Sequence, residues 1–172
     1  SVAGIFNGTT NFILTKIHEE NKPFADALKE AQDLGFAEAD PTMDVNGMDA
    51  AYKLVILAAV AFKASVDVSD FTCDGIESIE LKDVDYAKQL GYTIKLIASA
   101  TTNDKGECAL LVGPTMLSNA HSLASVRNEF NAIALQGNAM HDAMLYGKGA
   151  GPTPTGSAVL PGSAVATGAG KA

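Results

Sequence analysis

The run Met48 to Phe62 constrains this chain more than any other: it is almost wholly apolar, yet it carries Asp49 and Lys53. Residues four apart share a helix face, so the acid and the amine would look into one space. An ammonium among Ala50, Ala51, Tyr52, Leu54, Val55, Ile56 and Leu57 is costly unless it is partnered or lines a polar pocket. The run is entered through Gly35 to Gly47, a turn-rich acidic loop that brings Glu38, Asp40 and Asp44 close to Asp49. Such carboxylates suit a cation, either a metal or a substrate ammonium. No frame of the loop supplies the ligand positions of an EF-hand, nothing nearby cradles phosphates for a magnesium ion, and no metal site is assigned. A solvated acidic loop built on the Asp40-Pro41 and Asn46-Gly47 turns is the plain alternative.

The helical run sits in a chain of 172 residues, 47% hydrophobic and 19% charged, which is enough for one domain with a real core. A formal net charge of -8 without a Lys/Arg cluster argues against nucleic acid. No apolar run is long enough to span a membrane. Cys73 and Cys108 are far apart and read as small buried hydrophobes in a reducing cytoplasm. His18, His121 and His141 lack ligand spacing and read as surface or structural residues.

Taken in order, Val2 to Phe6 is a strand end closed by Asn7-Gly8, so the chain is expected to begin inside a longer protein. Thr9 or Thr10 would cap a helix to about Glu20, and a second helix would run from Phe24 to Leu34 with Gly35 as C-cap. The third, Met48 to Lys63, is expected to be buried on most sides. Ser65 to Glu80 reads as irregular, with a strand near Ile76 to Ile79, and Lys82 to Leu90 as a short helix stopped by Gly91. Thr93 to Thr102 and Cys108 to Val112 form a hairpin ending at Gly113-Pro114. A helical turn capped by Ser118 or Asn119 precedes a second pairing, Asn131 to Leu135 with Met140 to Leu145. Helices first and strands later imply an α+β domain, with helices on one face of a mostly antiparallel or mixed sheet. Residues 1–146 would form this domain, and 147–172 a Gly/Pro/Ala-rich tail. Asn7-Gly8-Thr9-Thr10-Asn11 is a strand-to-helix turn that could meet an anion, although as a cap it is commonplace. Gly147-Lys148-Gly149-Ala150-Gly151 is not a dinucleotide fingerprint, because Pro152 takes the sixth position and no βαβ unit surrounds it.

Together, Asn7-Gly8-Thr9-Thr10-Asn11, Glu38-Ala39-Asp40-Pro41 with Asp44-Val45-Asn46-Gly47-Met48-Asp49 through Lys53, Gly91-Tyr92-Thr93-Ile94-Lys95-Leu96, and Tyr146-Gly147-Lys148-Gly149-Ala150-Gly151 resemble homoserine dehydrogenase, in collinear order from Gly4 to Val159. The resemblance implies an oxidoreductase that interconverts L-aspartate 4-semialdehyde and L-homoserine with NADP or NAD, on the route to threonine, methionine and isoleucine. It implies that Lys53 and Asp49 are catalytic, and that Glu38, Asp44 and Asp49 bind substrate. It further implies that Gly35, Glu38, Gly149 and Gly151 approach the cofactor, that the protein is a cytoplasmic homodimer joined through its sheet, and that neither nucleic acid nor membrane is a partner. The family's nucleotide-binding domain precedes this region, so the chain corresponds to the substrate-binding, catalytic and dimerisation part and is expected to be inactive without its cofactor domain. After Val159 the family continues with a helix, which Pro161 and Gly162 would break here. A non-catalytic amino-acid-binding or oligomerisation module with the same fold is the alternative.

Overall fold

The structure, a computed structural model, describes residues 1–137 and 141–149. Strand β1 (Val2–Ile5) lies at the middle of a six-stranded sheet and feeds directly into helix α1 (Gly8–Glu20). Helices α2 (Phe24–Asp33), α3 (Thr42–Val45) and α4 (Met48–Phe62) follow, then the short strand β2 (Thr72–Cys73) and helix α5 (Leu81–Gln89). The long strands β3 (Tyr92–Thr102), β4 (Cys108–Ser118), β5 (Phe130–Gly137) and β6 (His141–Lys148) complete the chain. The sheet order is β2-β4-β3-β1-β5-β6, antiparallel throughout except for the β2–β4 pair. This is the expected α+β architecture.

Alternation along β3 sets the two faces of the sheet. Ile94, Leu96, Ala98 and Ala100 join the main core with Phe12, Ile13, Leu14 and Ile17 of α1 and Leu54 of α4. On the other face Ile97 meets Ile5, Ala132, Leu123 and Val126 in a smaller cluster.

Several expectations are corrected. Helix α1 is capped by Asn7, whose Oδ1 accepts from the Thr10 amide at 2.8 Å, so Thr9 and Thr10 lie inside the helix. Helix α4 meets β3 and β4 on one side, where Ala50, Ala51, Leu54 and Ala58 are buried and Leu57 and Phe62 are partly buried. Its opposite side is open, with Ile56 64% and Val60 77% exposed, so the helix is not buried on most sides. The acidic loop contains a turn of helix, α3, and Ile76 to Ile79 is a turn rather than a strand. Ile76 is instead a buried anchor whose amide donates to the Val45 carbonyl at 2.8 Å, while the pairing falls to Thr72–Cys73. Strand β4 does not stop at Gly113-Pro114. Pro114 sits opposite Leu96, two residues past Val112, whose carbonyl turns outward to the Asp74 amide. By alternation the nitrogen of Pro114 also faces outward, beyond the end of β2, where no donor is required. The turn before β5 is a 3-10 helix, Ser122–Ser125, capped by His121 rather than Ser118 or Asn119; its Nδ1 accepts from the Leu123 amide at 3.1 Å. Strand β6 runs past Tyr146 to Lys148, and the expected tail from residue 150 onward lies outside the described residues. Among the described residues no helix is long and apolar enough to cross a membrane.

Lys95 of β3 is 2% exposed, although an alternation argument assigns it no partner. Its ammonium donates to Asn11 Oδ1 at 2.9 Å and to the Val126 carbonyl at 2.5 Å. Asn11 in turn donates through Nδ2 to the carbonyls of Asn128 and Phe130, at 2.9 and 3.1 Å. One buried cation and one amide therefore tie α1 and β3 to the segment entering β5. Burial pulls the Lys95 ammonium down from 10.5 to about 8, with Glu19 opposing and Arg127 adding to the fall. Between those two values the unfolded chain holds the proton that the folded one releases, so stability from this group rises with pH. Relative to Lys95→Met, the wild-type chain should gain on the order of 2 kcal/mol between pH 7 and pH 10 in urea unfolding. A pH-independent difference between the two would show that the burial cost has been misassigned.

Candidate active site

The end of β1, the first turns of α1 and α4, and the segment from Phe36 to Asp49 meet around a cavity of about 360 Å³. Local chemistry explains how that segment folds back. Asp40 Oδ1 accepts from the amide and hydroxyl of Thr42, at 3.1 and 2.6 Å, which starts α3 and holds the Asp40 carboxyl below its usual range. Gly47 precedes α4 with φ +86, in the left-handed region, where a Cβ would also crowd the Asp74 carbonyl and Cys73 Sγ at 3.2 Å. The tight turn there sends Asp44 and Asp49 toward the same point.

That point is the carboxamide of Asn7. Its Nδ2 donates to Asp44 Oδ1 at 2.7 Å and to Asp49 Oδ2 at 2.8 Å, while its Oδ1 caps α1. Both amide hydrogens and one oxygen lone pair are thereby used. Lys53 donates to Asp49 Oδ2 at 2.7 Å and to the Phe6 carbonyl at 3.0 Å. Two of the three ammonium hydrogens are committed, and one is left for whatever enters the cavity. The Lys53 side chain is 48% exposed and that of Asp49 31% exposed. The pair therefore lines the cavity wall without the deep burial that the apolar run suggests. Burial raises the Asp44 carboxyl above its usual range; the Asn7 amide opposes the shift and neighbouring Asp49 adds to it.

The N-terminus of α1 forms another part of the wall. With the Thr10 amide taken by Asn7, the Gly8 and Thr9 amides have no acceptor among the described residues, and both residues line the cavity. Thr9 Oγ1 is bound to the Phe36 carbonyl at 2.6 Å, which brings Phe36 to the rim. Donors at a helix N-terminus suit a carboxylate. The cavity thus presents anion donors, cation acceptors and a proton-bearing amine.

Of the residues singled out from sequence, Glu38, Asp44, Asp49, Lys53 and Gly149 all line this cavity. Gly35 ends α2 at φ +75 with open space around it and is not on the wall, although the next residue, Phe36, is. Gly151 lies outside the described residues. Among the described residues no three His, Cys, Asp or Glu side chains come together as a metal centre. Sequence reasoning assigned no site role to Asn7 as an amide donor, nor to the Phe6 carbonyl or Asn131. The Asn-Gly pair at a strand-to-helix junction signals the first; nothing local signals the others.

The family model for homoserine dehydrogenase matches residues 1–161, so the chain belongs to the homoserine dehydrogenase family. It is 51% identical over 157 residues to homoserine dehydrogenase of Bacillus subtilis, covering 91% of this chain and 36% of that protein. It is 50% identical over 164 residues to the Corynebacterium glutamicum enzyme, covering 93% and 37%. The chain therefore spans little more than a third of the length of these curated relatives. A crystal structure of Staphylococcus aureus homoserine dehydrogenase matches with a TM-score of 0.87 at 48% identity, over 93% of this chain and 40% of that one. A hyperthermophilic archaeal homoserine dehydrogenase mutant in complex with NADPH matches with a TM-score of 0.76 at 31% identity, over 96% and 46%.

The Asn7 network yields a direct test. Asn7→Ala removes the helix cap and leaves Asp44 and Asp49 without their shared donor, which should cost about 1–3 kcal/mol in denaturant unfolding. It should also raise the Asp44 carboxyl titration further, read by carbon NMR. An unmoved Asp44 titration in a folded variant would contradict the bridging role.

Proposed function

We propose that this member of the homoserine dehydrogenase family forms the amino-acid side of a site that interconverts L-aspartate 4-semialdehyde and L-homoserine. The observation that carries this reading is the Asn7-centred convergence of Asp44, Asp49 and Lys53 on a cavity also lined by free helix amides. An α-amino acid has an ammonium and a carboxylate on one carbon. Asp44 and Glu38, which both line the cavity, receive the ammonium, and the Gly8 and Thr9 amides receive the carboxylate. The side-chain oxygen then falls to the unshared hydrogen of Lys53.

NAD or NADP supplies hydride when bound. As the aldehyde carbon gains that hydride its oxygen becomes an alkoxide, which Lys53 stabilises and protonates, yielding the alcohol and a neutral amine. Asp49 holds the lysine in place through the exchange and favours its reprotonation from the open cavity. In the reverse direction the neutral amine takes the hydroxyl proton. Gly149 is exposed on the wall beside Lys53 and Asn131, where a ring would have to lie to face a carbon held against Lys53. Gly149 is accordingly proposed on the cofactor side, together with Gly35, Glu38 and Gly151. The activity itself is proposed for a protein of the length of its curated relatives, of which this chain spans little more than a third.

We further propose a cytoplasmic homodimer acting in threonine, methionine and isoleucine biosynthesis. The sheet face turned away from the helices supports the dimer, because Leu111, Met144 and Tyr146 are exposed there.

Calorimetry with L-homoserine separates this reading from a non-catalytic oligomerisation module. The chain should bind homoserine, and Asp44→Asn should weaken binding by about tenfold or more through loss of a charged partner. Affinity should also fall as pH drops through the raised Asp44 value, where the carboxylate gains a proton and loses its charge. A well-folded chain indifferent to homoserine at neutral pH would overturn the assignment.

A further inference from the structure

Lys53, Asn131 and Gly149 are shared by the polar cavity and by a neighbouring, more apolar groove along Phe6, Ile56, Leu57 and Ile133. The first is the proposed proton donor. Asn131, one residue into β5, meets it through a common partner: Asn131 Nδ2 donates to the Phe6 carbonyl at 3.4 Å, the same oxygen that accepts from Lys53 at 3.0 Å.

The carboxamide is held in a slot made of backbone. A Cβ on Gly149 would overlap the Asn131 amide, and one on Gly8 would lie 3.3 Å from Asn131 Oδ1 and 2.6 Å from the Glu129 carbonyl. The Lys148 ammonium reaches Glu129 at 2.9 Å, fixing the strand ends on either side of Asn131 and Gly149. An amide that merely faced water would have no need of glycine on two sides. Its orientation is also set, because the Phe6 carbonyl can face only the nitrogen end.

We infer that Asn131 is a positioning residue for Lys53, acting through the shared Phe6 carbonyl. With Asp49 and that carbonyl fixed, the two committed ammonium hydrogens are fixed, and the third is aimed into the cavity. Asn131 restrains the carbonyl from the β5 side and so determines where that third hydrogen points. This rests on the assignment of Lys53 as proton donor, but its geometry can be tested without turnover.

The first readout is the titration of Lys53 in this chain, followed by NMR of the carbon-13-labelled Cε positions of its unmodified lysines. Asn131→Asp, which keeps the shape of the side chain, places a carboxylate against the same carbonyl and should raise the Lys53 titration by about one pH unit. An unchanged Lys53 titration in the folded variant overturns the inference. The second readout is L-homoserine affinity across a double-variant cycle. Asn131→Leu should weaken binding about fivefold when Lys53 is present and leave it unchanged in the Lys53→Met background. Equal losses in both backgrounds would mean that Asn131 acts by direct contact or by general structure, which also overturns it. Absence of homoserine binding in the wild-type chain would defeat the functional assignment, while the lysine titration would still decide whether Asn131 governs Lys53.

Discussion

One side-chain amide holds this site in register. Burial raises the Asp44 carboxyl above its usual range, and the neighbouring Asp49 charge adds to that rise. The two hydrogens of Asn7 Nδ2 oppose it by giving both carboxylates a donor. The same side chain's oxygen starts α1. Three separate elements, the β1–α1 junction, α3 and α4, therefore depend on a single residue, and the cavity between them follows from it. Lys53 completes the set by spanning from Asp49 back to Phe6, the residue just before Asn7.

The same helix is pinned a turn later by a different device. Asn11 receives the buried Lys95 ammonium and binds the carbonyls of the 126–130 segment. Asn128, in the left-handed region at φ +55, donates its amide to Thr15 Oγ1 one further turn along α1. The segment that delivers Asn131 to the cavity is thus fastened to α1 at two successive turns. Helix α1 serves as the frame, with Asn7 organising the acidic side of the site and Asn11 with Thr15 organising the β5 side. The region matched by the family model covers both halves of this frame.

Much of this was legible in the residues. The helical periods of α1 and α2, Gly35 as the end of α2, the long hairpin and the i,i+4 relation of Asp49 to Lys53 all follow from local rules. What local rules could not supply was non-local. Burial of α4 on one face only depends on how the sheet meets it, and its apolar composition by itself overstates the burial. The Thr72–Cys73 pairing depends on register with Leu111 and Val112, while Ile76 to Ile79 had the stronger strand composition. Pro114 is tolerated in β4 only because β2 is short. Asn131 lies far along the chain from Lys53, and no spacing rule connects them. Composition made Lys53 conspicuous for a reason that is only partly right: it is accessible at a cavity wall, where a proton donor is useful, and is not a deeply buried charge.

We propose that the cavity organised by Asn7 takes an amino acid. The most direct measurement is a nitrogen-15 NMR titration of the chain with L-homoserine, following the Asn7 side-chain amide and the Gly8 and Thr9 backbone amides. The three signals should move together along one saturation curve, since the ligand's ammonium draws on the carboxylates that Asn7 holds while its carboxylate meets the helix amides. Homoserine binding that leaves all three signals in place would contradict the account.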